Sequence, residues 1–438
     1  MGIAQSWSYK TFSFARQADL TTEASTNFIK YACEVAIPKR GREVVDLDYA
    51  TGQFGSRGPV VVGARQGGEI SIKAPLCGLR TGYDPATSAP GDANLTTPPI
   101  AILLANALGS RNGSVSSAAN YSQGVGLYNE AYDAAAVVSS STTTVVNLDS
   151  GLGAGILLQS LLAIGVPTTN ALRQLGWVYS IATDAVTLAE AWTGAANNGD
   201  NVLPSATACL NANEQIPMTF VIRGAQASFV DVAVGCVAKS IKLTCEAGQV
   251  PMVEITYGVF GDMYRDSTGG AVEVPDDDWP VLRPVVGAFG GRATVNGTAL
   301  CGLEKLMLDI ALDVQPRLCH GALQGVSQVD TVSKQVTLSF SVPRDSTDTI
   351  EGDGNDQWQA ALASAAAFPI AVYCGSQAGL IWSCYLPTMS IMEEPQLEDV
   401  GGRVYYAVKL RPAPMDQIGD GTINGTAPQN SVVSMGWA

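Results

Sequence analysis

Histidine is almost missing from this chain: His320 is the single one in 438 residues. Charged residues make up only 15% and aromatics 7%, and no two of the nine cysteines stand in a C-x-x-C pair. Each shortage removes a class of chemistry. A Ser-His-Asp or Cys-His nucleophile would have to be built on His320, and its neighbour Cys319 is poorly placed, because adjacent residues in a strand or turn seldom face each other. A site with several histidine ligands is impossible. The balance of 25 basic to 40 acidic residues, net −15, argues against a surface that grips nucleic-acid phosphates. No window reaches about 18 uncharged apolar residues, so no membrane-spanning helix is expected. The first 25 residues are polar and mixed, without the basic flank and apolar stretch of a secretory leader.

What remains is rich in Gly, Ala, Val, Thr and Ser, a composition of short strands and many turns. The nine cysteines sit mostly in apolar strand-like runs and read as reduced, buried thiols. Charge is uneven: residues 1–80 carry 10 basic and 7 acidic side chains, residues 81–438 carry 15 and 33. A mildly basic start on an acidic body suits self-complementary assembly.

Apolar–polar alternation of period two predicts strands over Phe28–Ile37, Val60–Leu76, Met218–Val234, Ser240–Cys245, Met252–Val259, Leu306–Val314, Val336–Val342, Ile370–Tyr373, Leu380–Leu386 and Val404–Leu410. Helices are predicted at Pro98–Leu108, where prolines suit the first turn and Gly109 the stop, and at Trp358–Ala367. Ile156–Ile164 and Ala185–Trp192 are shorter helical candidates. The order of elements repeats: strand, strand, polar loop, helix, glycine-turned hairpin, acidic turn, closing strand. This predicts two copies of a β-β-α-β-β unit. The implied organisation is an arm at 1–25, a first domain at 26–109 and 211–262, and an inserted small subdomain at 110–210. A linker at 263–290, a second domain at 291–414 and a polar tail at 415–438 complete it. The insert is expected to be a small surface unit, mostly β with a short helix, and the tail to be unordered unless a partner holds it.

Three segments imitate catalytic or binding motifs. Gly151, Gly153 and Gly155 follow a strand, but a dinucleotide turn needs a small residue where Ile156 stands. The acidic run Asp345–Asp356 lacks the order of a calcium loop and reads as a solvated loop leading into a helix. Asp276, Asp277 and Asp278 read as a solvated linker. No cofactor and no metal are expected. The alternating aromatics Trp7, Tyr9, Phe12 and Phe14 read as an edge strand of the chain's own sheet or as an arm laid on a neighbouring subunit; an exposed strand needs a partner, and pairing with a neighbour is the favoured reading.

The stretch FVIRGAQASFVDVAVGCVAKSIKLTCEAGQVPMVEITYGVFGDMY (Phe220–Tyr264) resembles the signature segment of tail tube proteins of long-tailed bacteriophages. VVVGARQGGEISIKAPLCG (Val60–Gly78) and the helix opening at Pro98 are similar to the same family. The resemblance implies a mainly β fold of two tandem β-sandwich or barrel domains, each with one short α-helix. It implies a structural virion protein without enzymatic activity, made in the host cytoplasm and resident in the phage tail. Rings, trimeric and pseudo-sixfold for a duplicated chain, would stack into a tube lined by acidic residues for genome delivery. Implied partners are other copies of the chain, tape-measure, tail terminator and baseplate proteins, and DNA in transit without specific binding; no membrane is involved. On this reading Trp7, Tyr9, Phe12, Phe14, Arg65 and Arg223 are candidates for subunit and ring contacts. Glu69, Asp231, Glu246 and Glu254 are candidates for lumen or loop acids. Rival readings are another virion ring protein of the tail completion or baseplate type, a carbohydrate-binding β-protein, and an enzyme with a carboxylate-only site.

Overall fold

Alternating side chains give a strand one apolar and one polar face, and such strands build nearly all of this molecule. The computed structural model describes residues 11–17, 19–24, 28–31, 33–36, 41–45, 60–78, 98–109, 126–129, 136–139, 141–156, 158–167, 172–190, 194–203, 205–210, 216–223, 230–266, 292–300, 303–319, 326–343, 367–375, 379–400, 402–413 and 431–438. Among them lie 25 β-strands and one α-helix, so the fold is mainly β.

In chain order, β1 (Thr11–Arg16), β2 (Ile29–Tyr31), β3 (Glu34–Ala36), β4 (Gly41–Val45) and β5 (Val60–Pro75) precede helix α1 (Pro99–Ala107). After β6 (Gly126–Asn129) comes a group of short strands: β7 (Val145–Asn147), β8 (Leu161–Gly165), β9 (Leu172–Ala182), β10 (Ala185–Leu188) and β11 (Asn201–Leu203). Then follow β12 (Ser205–Cys209), β13 (Met218–Arg223), β14 (Val230–Glu246), β15 (Met252–Val259) and β16 (Met263–Asp266). The remainder is β17 (Arg292–Val295), β18 (Thr298–Leu300), β19 (Lys305–Leu318), β20 (Val326–Pro343), β21 (Phe368–Cys374), β22 (Trp382–Ile391), β23 (Gln396–Val400), β24 (Arg403–Pro412) and β25 (Ser434–Trp437).

Antiparallel pairing joins these strands in two like series. The first runs β1–β13–β14–β15–β5, with β3 and β4 on the far side of β5. The second runs β17–β21–β22–β24–β20–β19. Position by position, β1 corresponds to β17, β13 to β21, β14 to β22, β15 to β24 and β5 to β20. The two series meet where β14 pairs with β19, from Ser240 opposite Ala311 to Glu246 opposite Lys305. A second seam is β25, which pairs with β12 on one edge and β22 on the other.

The core follows from alternation. Ile72, Ile255, Ile241, Ile310 and Val336 stand in one cross-strand row, and Ala74, Val253, Leu243, Leu308, Leu338 and Leu410 in the next, all buried. Helix α1 is buried at every position, as suits its sequence PIAILLANA, apolar but for Asn106; the Asn106 side-chain amide donates to the Ile102 carbonyl at 2.8 Å. It is held by Tyr257, whose hydroxyl donates to the Leu103 carbonyl at 3.3 Å. The second expected helix, at Trp358, lies outside the described residues, as do His320, Asp345–Asp356 and Asp276–Asp278.

The short helices and the tail need correcting. The described parts of Ile156–Ile164 and Ala185–Trp192 are not α-helical: β8 and β10 lie there, and a tight turn with Thr183 at φ +56° folds β10 back on β9. The tail ends in β25, whose Met435 and Trp437 are wholly buried, so the chain itself pins its described residues, 431–438. The described part of the insert is mainly β and docks on the second series. Its five-stranded sheet, in the order β11-β8-β9-β10-β7, has its own core around Val146, Ile164 and Val178. Its other face packs Leu161, Leu175 and Trp177 against Tyr373, Ile381 and Tyr385 of the second series. Trp177 stacks on Tyr385 and donates to Ser383 Oγ at 2.8 Å.

Candidate assembly surface

The wall formed by β3, β5, β15, β14, β19 and β20 presents its polar face away from the core, and charge is ordered on it. Glu34 stands opposite Lys73, Lys73 opposite Glu254, Glu254 opposite Lys242, and Lys242 opposite Asp309. Sign alternates across five neighbouring strands, through the β14–β19 seam. Opposite charges in directly facing cross-strand positions are attractive, and like charges there are repulsive. The next rows are uncharged: Ser71, Thr256, Ser240 and Ala311 on one side, Met252, Thr244, Met307 and Ser339 on the other, with Met307 an exposed apolar side chain.

The four acids expected on sequence grounds fall into this setting unevenly. Glu254 is exposed, accepts a hydrogen bond from Ser71 Oγ at 2.9 Å, and has Lys73 and Lys242 as cross-strand neighbours. Glu69 is paired with Lys239 at 2.8 Å on the surface. Glu246 is half-buried and bridges the seam to Lys305 at 2.9 Å. Asp231 is 2% exposed inside β14, which corrects its reading as a lumen or loop acid. The charges of this wall therefore compensate one another across neighbouring strands. Lys73, Lys242, Asp309 and Glu34 were missed in the sequence; their only signal was to fall on the polar positions of alternating strands.

The N-terminal aromatics also divide. Trp7 and Tyr9 lie outside the described residues. Phe12 and Phe14 are 2% and 0% exposed, on β1 between β13 and β2 of the same chain. Phe12 meets Phe220 edge-on at 5.3 Å, so these rings are part of the core and not an arm reaching a neighbour. Gln17 fastens the segment, accepting from Gly235 N and donating to the Thr22 carbonyl, both at 2.7 Å. Arg223 is half-buried at the end of β13 opposite Thr11, and Arg65 lies on β5 opposite Arg42, its side chain outside the described set.

The false dinucleotide turn has a structural use. Asp184 Oδ1 accepts from Gly151 N and Gly153 N at 2.9 and 3.0 Å. Among the described residues, no three His, Cys, Asp or Glu side chains are placed to hold a metal ion, and no helix is long and apolar enough to cross a membrane.

One further feature is a projecting hairpin. Beyond the wall, β19 and β20 continue as a two-stranded ribbon from Leu312 opposite Lys334 to Leu318 opposite Val326, with Val332 60% exposed at its side. Strands β4 and β5 make the corresponding ribbon in the first series. Comparison with known proteins bears on what such a surface serves. None of the curated proteins compared with the chain matches it. The profile of the phage tail tube protein family matches residues 10–372, a span that takes in both strand series as far as β21. The chain belongs to the phage tail tube protein family, a structural component of the virion tail.

Proposed function

We propose that the chain assembles into rings of three, each ring pseudo-sixfold because every chain supplies two like strand series, and that rings stack into the tail tube. The β14–β19 ladder carries this reading. It joins the first series to the second inside one chain, and the same join between chains would close the circle. Strands β3 and β4 flank β5 as β19 flanks β20, and would pair with β22 of the next copy. Such pairing covers strand edges that otherwise invite uncontrolled aggregation. Head-to-tail stacking of closed rings yields an open filament.

On this reading the polar wall lines the channel, and the ribbons β4–β5 and β19–β20 reach the adjacent ring. Trp7, Tyr9, Arg65 and Arg223 are the candidates for subunit contacts. A lining of alternating charges and uncharged side chains offers a phosphate backbone no run of cations to bind, so DNA passes without specific retention. The two series support a division into domains at 26–109 with 211–262, and at 291–414, with β1 from the 1–25 segment added to the first and the insert outermost. Tape-measure, tail terminator and baseplate proteins would be the tube's other contacts. The protein is made in the host cytoplasm and has no catalytic role.

Negative-stain microscopy of the purified chain tests this. Rings with threefold averages, or tubes built from them, are expected. A strictly monomeric protein under all salt and concentration conditions would sink the proposal, and true sixfold rings of six chains would overturn its stoichiometry.

A further inference from the structure

The eight described cysteines are all free thiols, and two of them touch. Cys245 Sγ lies 3.9 Å from Cys374 Sγ. Cys245 sits near the end of β14, in the stretch that pairs with β19, and Cys374 closes β21 of the second series. The contact therefore joins the two strand series through side chains, beside the seam that joins them through the backbone. Cys374 is 3% exposed and Cys245 is half-buried, so a small reagent meets Cys245 first. Cys384 is a poorer partner for Cys374. It is two residues beyond Trp382, the residue directly opposite Cys374, and such a diagonal spacing of about 7–8 Å exceeds the usual span between bridged cysteines.

We propose that Cys245 and Cys374 are an oxidisable dithiol, a latent staple that closes between the two strand series when the protein meets an oxidant. With a small diazene such as diamide, the Cys245 thiol adds across the N=N bond, its sulfur bonding one nitrogen and its proton passing to the other. The Cys374 sulfur then attacks Cys245 Sγ, forming the S–S bond and breaking the S–N bond, and its proton completes the hydrazine. Two thiols are oxidised and one diazene is reduced. The hydrogen bond between the two thiols, and after it burial, disfavour the Cys245 thiolate, which keeps the pair reduced until an oxidant is present.

The experiment uses the full-length protein, reduced and then treated with diamide, digested without reductant and mapped by mass spectrometry. A peptide pair linked through Cys245 and Cys374 is expected, lighter by two hydrogens and separated again by dithiothreitol. The oxidised protein should melt several degrees higher than the reduced protein. Cys374→Ser should melt at the same temperature with and without diamide. The proposal is overturned if Cys245 and Cys374 both stay open to iodoacetamide after denaturation of the oxidised sample, or if Cys374 is found linked to Cys384. Because the mapping is made on the unaltered chain, misfolding of a variant does not affect its outcome.

Discussion

Glu190 lies where the inserted sheet meets β17 and β21, 4% exposed, and its carboxylate accepts hydrogen bonds from the Tyr373 hydroxyl and Thr294 Oγ1. Arg292 and Tyr385 are the other ionisable groups facing it. Burial raises its pKa from 4.5 to about 7, against the lowering effect of Tyr373 and Arg292. A carboxyl raised in the folded state holds its proton more tightly there than in the unfolded chain. Its contribution is therefore complete below pH 4.5 and is lost as pH rises through 7, about 3 kcal/mol in all. Urea denaturation between pH 4.5 and 8 should show stability falling with pH, and Glu190→Gln should flatten that slope; an unchanged slope would exclude Glu190 as its source. Gly78 offers a second check at this scale. A Cβ there would stand 2.4 Å from the Gly379 carbonyl oxygen and 2.5 Å from Leu380 Cα, backbone atoms that cannot swing aside. Gly78→Ala should cost about 1–3 kcal/mol in a thermal or urea melt. Neither site was legible in the sequence, because Glu190 and Tyr373 are 183 residues apart and Gly78 meets a turn about three hundred residues further along the chain.

Among elements, legibility followed periodicity. Alternation located β5, β15, β20 and β24, and two prolines followed by an apolar run located α1. The failures came where alternation is short. Ala185–Leu188 holds four residues, too few to separate a strand from a helical turn, and its register depends on β9 and β7 at its sides. Strand β1 shows another limit. Its alternating Phe12 and Phe14 announced a buried face, but alternation does not say whose core receives it, and here β13 of the same chain does. The β19–β20 ribbon yields a prediction on assembly. Val332 is exposed and outside the core, so Val332→Asp should leave the stability of the isolated chain nearly unchanged in a thermal melt, within about 0.5 kcal/mol. If the ribbon contacts the next ring, the variant should form rings but few tubes by electron microscopy. Tubes of normal length and number would remove the ribbon from the stacking contact.

For the whole molecule, the surplus of acid suggested an acidic channel wall; if the polar wall lines the channel, as proposed, the lining instead alternates in charge between neighbouring strands. Lys242 is the centre of that arrangement, with Glu254 on one side and Asp309 on the other. Lys242→Glu would place three acids in a row and should lower stability by about 1 kcal/mol at low salt, with partial recovery at high salt as screening shortens the repulsion. Circular-dichroism melts at two ionic strengths would measure it, and a salt-independent loss would mean that packing, not charge, was disturbed. By itself the sequence determined the strand content, the repeated order of elements and the family, because these follow from local alternation and spacing. It also excluded most catalytic chemistry through the single histidine. Only the tertiary structure decided which acids face lysines, that Asp231 is buried, that β25 closes a seam, and that Cys245 touches Cys374. Those outcomes rest on register between strands far apart in the chain, and a shift of one residue in register exchanges the two faces of a strand.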